Sequence, residues 1–162
     1  MPVQIGHDLL CEAVDKYSDM VLRIAFHHTR NYADAEDVAQ EVFLALMQGP
    51  IINDGRHLKS WLIRVAINKC RNLLKSAAKR KNASLEAAAS KYYLSGEETG
   101  IIECIHKLSR IERDIVYLHY YEGFTAREVG EILGKKEDAV FTRLKRIRNK
   151  LKGLLEDGYE IY

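Results

Sequence analysis

An all-α fold, in two small helical domains joined by a linker, is what this sequence predicts. Three observations carry that expectation. Apolar residues recur at three- and four-residue spacing, and no alternating apolar–polar run marks a strand. The two prolines stand at positions 2 and 50, so they break few helical segments. Residues 79–97 are polar and small, lack a long apolar stripe, and are too many for an ordinary loop inside a compact domain. The domains are therefore expected at residues 1–78 and 98–162, with 79–97 as the linker. A length of 162 residues, 47% of them hydrophobic, suffices for one domain or two small ones.

The first helix is expected to start at Asp8 as N-cap and to run to about His28. Its apolar stripe is Leu10, Ala13, Val14, Tyr17, Val21, Ile24 and Ala25. "RNY" breaks it. A second helix opens at Asp34, because Asp34, Glu36 and Asp37 complement the positive end of a helix dipole. It continues through Val38, Val42, Phe43 and Leu46 and stops before "GP" at 49–50. After the loop "IINDGRH", a third helix from about Leu58 to Ala78 carries Trp61, Leu62, Val65, Ala66, Cys70, Leu73 and Leu74.

The second domain is expected to hold four helices. Glu98 to Lys107 is the first. The next opens at Ser109, whose Ser-x-x-Glu pattern with Glu112 is a capping box, and runs to Tyr121. Thr125 and Glu128 form a second capping box for a short helix ending near Leu133, with Gly134 suited to the C-cap. A last long helix runs from about Glu137 to Leu155. A short helix, a Gly-containing turn and a long basic helix make a helix-turn-helix pattern. Gly130 inside the short helix would let the next helix approach closely.

Net charge is only +2, but the charges are blocked. Residues 55–85 hold nine Lys/Arg and no acid, and residues 135–152 hold eight Lys/Arg against two acids; acidic blocks precede both. Two separated basic footprints suggest a partner touched at two places. In the second, a wheel at 100° per residue gathers Val140, Leu144, Ile147, Leu151 and Leu154 into one apolar stripe. Phe141 falls about 100° away from Val140, beside Arg148 and Lys152. Phe141, Thr142 and Lys145 lie where a recognition helix meets base edges. Arg146, Arg148 and Lys152 are better placed for phosphates. Two alternatives stay open: a basic helical hairpin with a solvated face, and Phe141 at the edge of the core. In the first footprint, Arg64, Asn68, Lys69, Arg71, Asn72 and Lys75 mix cations with amides on one helix, a combination able to read bases. Trp61 at an apolar helix position reads more readily as core than as a stacking platform.

Other chemistries find no support. Cys11, Cys70 and Cys104 are far apart, form no CxxC, and are each expected as small core residues in a reducing compartment. His27 and His28 point about 100° apart and cannot share a metal as His-x-x-x-His would. No Ser/His/Asp order, phosphate-cradling glycine loop or paired carboxylates emerge, so neither an enzyme, a cofactor nor a metal is expected. No apolar run approaches the roughly 20 residues needed to span a bilayer, and the N-terminus lacks a signal peptide's basic start and apolar core. The expected location is cytoplasmic, without membrane insertion.

The segments "DAEDVAQEVFLALMQ" (34–48), "LKSWLIRVAINKCRNLL" (58–74) and "LSRIERDIVYLHYYEGFTAREVGEILGKKEDAVFTRLKRIRNKL" (108–151) resemble a bacterial RNA polymerase sigma factor. The type is the extracytoplasmic-function (ECF) kind, group 4 of the sigma-70 family, and the resemblance covers about residues 8–155. It implies that residues 1–78 are region 2, a three-helix bundle, and that 98–162 are region 4, a four-helix domain with the helix-turn-helix. It implies core RNA polymerase as partner, docked through Asp34, Glu36, Asp37, Gln40, Glu41 and Phe43. It implies a promoter −10 element bound as single strand by Arg64, Asn68, Lys69, Arg71, Asn72 and Lys75. The −35 element would be read as duplex by Phe141, Thr142, Arg143, Lys145, Arg146 and Arg148. An anti-sigma factor that holds the chain inactive is implied as well. The sequence departs from the family pattern at Asp138-Ala139, where Gly-Thr is frequent, at Phe141, where a basic residue is common, and at Asn72, where an acid is frequent. Promoter preference therefore cannot be carried over. The alternative from the residues themselves is a stand-alone helix-turn-helix transcriptional regulator, which usually needs a dimer; no heptads for one are evident. A protein-binding helical adaptor is a third.

Overall fold

In the computed structural model the described residues are 6–49, 52, 54–80, 104–105 and 107–156, without the side chains of 78–80 and 154–156. They contain helices and turns and no strand. The chain divides into two compact units, residues 1–91 and 92–162. The expected linker, from residue 81 onward, lies outside the described residues.

The first unit is a bundle of α1 (His7–Thr29), α2 (Tyr32–Gln48) and α3 (Gly55–Arg80), each packed on the other two. Its core is the apolar stripes facing inward: Ala13, Tyr17, Met20, Val21, Ile24 and Ala25 of α1; Ala35, Val38, Val42 and Leu46 of α2; Leu62, Ile63, Ala66, Ile67 and Cys70 of α3. The Tyr17 hydroxyl donates to the Gly55 carbonyl at 3.2 Å and ties the start of α3 to α1.

All three helices begin earlier than the sequence reading placed them. Gly6, not Asp8, caps α1, and no side chain contributes. Arg30, at φ 55°, closes α1 in the left-handed conformation, and Asn31 opens α2 by accepting the Asp34 N–H on Oδ1 at 3.2 Å. Asp34 is thus the third residue of α2 and not its cap, because the asparagine three positions earlier supplies the better-placed oxygen. At α3 the Asp54 carboxylate accepts the Arg56 N–H at 3.1 Å, and its carbonyl accepts the Leu58 N–H at 2.9 Å. That is N-cap geometry, so Gly55, Arg56 and His57 join the helix. At its far end α3 passes the expected Ala78 and reaches Arg80.

In the second unit, Cys104–Ile105 are helical, and the rest of the expected helix from Glu98 lies outside the described residues apart from Lys107, which is in a turn. There follow α4 (Arg110–Val116), a π-turn at Tyr117–Tyr121, α5 (Ala126–Leu133) and α6 (Glu137–Glu156). Both capping boxes form: Ser109 with Glu112, and Thr125 with Glu128. Leu108, Ile115, Leu118, Phe124, Val129, Ile132, Leu133, Val140, Leu144 and Ile147 make the core.

One expectation about the cysteines fails. Cys70 and Cys104 are buried, but Cys11 is exposed. On α1 it lies about 160° from Ala13 and about 120° from Tyr17, the buried residues nearest to it along the helix.

Candidate nucleic-acid interface

The geometry of the second unit is set by the turn between α5 and α6. Gly134, at φ 68°, closes α5, and the Lys135 N–H donates to the Gly130 carbonyl at 2.8 Å. A Cβ on Gly130 would lie 2.5 Å from the Lys135 carbonyl oxygen. The close approach needed at Gly130 is thus to the backbone of the turn, which brings the start of α6 onto α5.

This placement buries Val140, Leu144 and Ile147 and leaves Leu151 half-buried. The opposite face is polar. Of the six residues expected to meet duplex DNA, Phe141, Thr142, Lys145, Arg146 and Arg148 are exposed, and Arg143, at the flank of the buried stripe, is half-buried. Phe141 is 55% exposed and is no part of the core. The Thr142 hydroxyl donates to the Asp138 carbonyl at 2.9 Å, leaving its oxygen as an acceptor.

Two cations of this helix have partners within the unit. The Lys150 ammonium donates to the buried Glu112 carboxylate at 2.8 Å, so its charge is largely neutralised. Glu112 also accepts the Ser109 N–H at 3.0 Å. Burial pushes its carboxyl upward, but the hydrogen bonds from Lys150 and Ser109 outweigh this and hold it below the usual glutamate value. The Arg148 Nε donates to the Tyr120 hydroxyl at 2.7 Å.

In the first unit, Arg64, Asn68, Asn72 and Lys75 are exposed, and Lys69 and Arg71 are half-buried. Arg64, Asn68, Arg71, Asn72 and Lys75 fall within an arc of about 100° on α3; Lys69 is turned about 60° beyond it. The Lys69 ammonium reaches the Glu41 carboxylate of α2 at 3.6 Å. On α2, Glu36, Asp37, Gln40 and Glu41 are exposed, and Asp34 and Phe43 are half-buried. Leu44 and Tyr32, which the sequence reading passed over, are 51% and 54% exposed. Leu44 stands four residues after Gln40 and eight after Glu36, so its place on the charged face was readable from spacing. Trp61 is half-buried, with its ring 3.6 Å from where a Cβ on Gly49 would stand. His27 is exposed and His28 buried. Among the described residues, no three His, Cys, Asp or Glu side chains gather as metal ligands. No helix there is long and apolar enough to cross a membrane.

Comparison with known proteins places these surfaces in context. The family models for Sigma-70 region 2 and for Sigma-70, region 4 match residues 13–80 and 99–151. The ECF RNA polymerase sigma factor BldN of Streptomyces coelicolor is 26% identical over a stretch covering 88% of this chain and 59% of BldN. The ECF RNA polymerase sigma factor SigW of Bacillus subtilis is 25% identical, covering 93% of this chain and 90% of SigW. Among solved structures, the sigma factor RpoE from Bartonella quintana, in complex with the anti-sigma factor NepR, aligns with a TM-score of 0.68. That alignment covers 90% of this chain and 95% of RpoE at 18% identity, a likeness of fold.

Proposed function

The chain belongs to the sigma-70 family, as a factor of ECF type, and on that premise we propose that it binds core RNA polymerase and directs it to promoters. The observation that carries this reading is the order of the matches: region 2 on the three-helix bundle, then region 4 on the helix-turn-helix. It acts by binding and not as an enzyme, and its place of action is the cytoplasm, where polymerase and chromosome are.

Three surfaces divide the work. The acidic face of α2, with Asp34, Glu36, Asp37, Gln40, Glu41 and Phe43, docks on polymerase. Its carboxylates steer the encounter, and Leu44 adds an apolar anchor among them. The stripe of α3 holds the −10 element as an unpaired strand. Arg64, Arg71 and Lys75 follow the phosphates with Lys69, paired to Glu41, at their flank, while the amides of Asn68 and Asn72 offer donor and acceptor to exposed base edges. Opening the duplex costs about 1.4 kcal/mol per base-pair step, so capture of splayed bases has to offset it. The outer face of α6 reads the −35 element as duplex: Phe141, Thr142 and Lys145 near its N-terminal end meet base edges, and Arg143, Arg146 and Arg148 meet the backbone. A phenyl ring in that position favours a thymine methyl. RpoE of Bartonella quintana is bound by an anti-sigma factor, and we extend that mode of control to this chain.

The reading is tested by mixing the purified chain with core polymerase and sequencing the DNA that the complex retains from a random library. The expected result is two enriched blocks at fixed spacing, lost when Glu36→Lys and Asp37→Lys abolish assembly with core. A chain that enriches paired duplex half-sites alone, and ignores core polymerase, would instead be a stand-alone regulator.

A further inference from the structure

Arg148 is held by a group from another part of its unit. Its Nε donates to the Tyr120 hydroxyl at 2.7 Å, across 28 positions of sequence. Tyr120 sits on the π-turn, and that turn is braced. The Glu122 N–H reaches back five residues to the Tyr117 carbonyl, and the Phe124 N–H reaches the Leu118 carbonyl, both at 3.0 Å. The Tyr117 hydroxyl donates to the Glu122 carboxylate at 2.8 Å, and the Tyr117 and Tyr121 rings stack at 5.1 Å. His119 Nδ1 donates to the Phe124 carbonyl at 2.8 Å, and its ring meets Tyr120 edge-on. Extra residues in a helical turn of this kind frequently mark functional positions. Here the π-turn carries a 53%-exposed tyrosine to the side of a basic helix.

The chemistry of the partner matters. Lys150, on the same helix, is bound by a carboxylate and so presents little charge. Tyr120 offers Arg148 a hydroxyl oxygen where Glu112 offers Lys150 a carboxylate. It fixes the guanidinium without cancelling it. With Nε engaged, the two terminal amino groups remain as a planar fork, the geometry that grips a phosphate with two parallel hydrogen bonds. Arg148 also lies two turns beyond Phe141 on nearly the same line of α6. Its fork therefore falls where a recognition helix meets backbone after its N-terminal end has met bases.

We propose that Tyr120 is a positioning residue for Arg148, presenting the guanidinium end-on to one backbone phosphate of the duplex and so setting the register of α6 in the groove. This rests on the reading of α6 as the −35 reader. Holding the side chain in place before binding lowers the ordering cost of the contact.

The test uses the full chain assembled with core polymerase and a −35 duplex taken from its own selected sequences. Single phosphates are replaced in turn by neutral methylphosphonates. Wild type is expected to lose affinity sharply at one phosphate that Arg148→Ala no longer senses, with the salt slope of Arg148→Ala reduced by about one. Tyr120→Phe, which keeps the ring and removes the hydroxyl, is expected to weaken binding about two- to tenfold and to blur that phosphate's effect. In the Arg148→Ala background, Tyr120→Phe is expected to change nothing further. Equal affinity and an unchanged phosphate profile in Tyr120→Phe would overturn the proposal, as would effects of the two substitutions that simply add. A wild-type complex indifferent to the −35 sequence would overturn the −35 reading itself, and the proposal with it.

Discussion

Phe141 is the residue at which stability and the proposed −35 recognition part company. It is more than half exposed, whereas its neighbour Val140 is fully buried. Phe141→Ala is expected to shift stability by no more than about 0.5 kcal/mol while changing which −35 sequences are retained. Leu144→Ala, three residues on and 1% exposed, is expected to cost about 2–5 kcal/mol. Thermal midpoints beside DNA selection on the same proteins check both; a large loss of midpoint for Phe141→Ala would make it a packing residue. Glu112 is expected to contribute to acid sensitivity. Its folded carboxyl lies below the ordinary value, so its stabilisation is present above about pH 4.3 and is lost as pH falls through the folded value. Glu112→Gln retains a side chain able to cap at Ser109 but loses the charge facing Lys150. It is expected to lower neutral-pH stability by about 1–2 kcal/mol and to flatten the fall in midpoint on acidification. A variant with the wild-type acid profile would mean that another group controls it.

The elements differ in how legible they were. Both capping boxes, the Gly134 cap and the buried stripe of α6 were readable, because each is settled within four residues or by a 100° period. The start of α2 was misplaced because Asn31 competes locally with the later acids for the capping role, and that of α3 because Asp54, the cap, was read as part of the preceding loop. The π-turn left no local signature: it is closed by long backbone bonds and by Tyr117, His119 and Glu122 acting together. Tyr120 beside Arg148 was for that reason invisible, as was the diversion of Lys150 from the basic face to Glu112. The exposed face of α6 was readable from the wheel; the partners that orient or neutralise its cations were not. Gly130 was legible as a close-packing position, and the turn gives it a definite cost. Gly130→Ala gains about 1 kcal/mol of helix propensity, but its Cβ would meet a backbone carbonyl at 2.5 Å. A net loss of about 1–3 kcal/mol is expected by chemical denaturation, with weaker duplex binding as α6 is displaced. An equal or higher midpoint would show that the turn yields freely.

Over the whole molecule, the separation of charge along the chain proved as informative as any motif. Two basic blocks fall on α3 and α6, one in each compact unit, and the acidic residues of α2 form a third surface. A factor that brings polymerase to a promoter needs these three kinds of contact at once, and a repressor needs only the DNA-facing one. The central claim is that initiation depends on this chain and core polymerase together. Run-off transcription with purified core polymerase, on a template carrying the selected −10 and −35 blocks, tests it most directly. A discrete transcript is expected only when both proteins are present, and it is expected to be lost when either block is scrambled. No chain-dependent transcript from that template, with the chain folded and bound to its DNA, would contradict it.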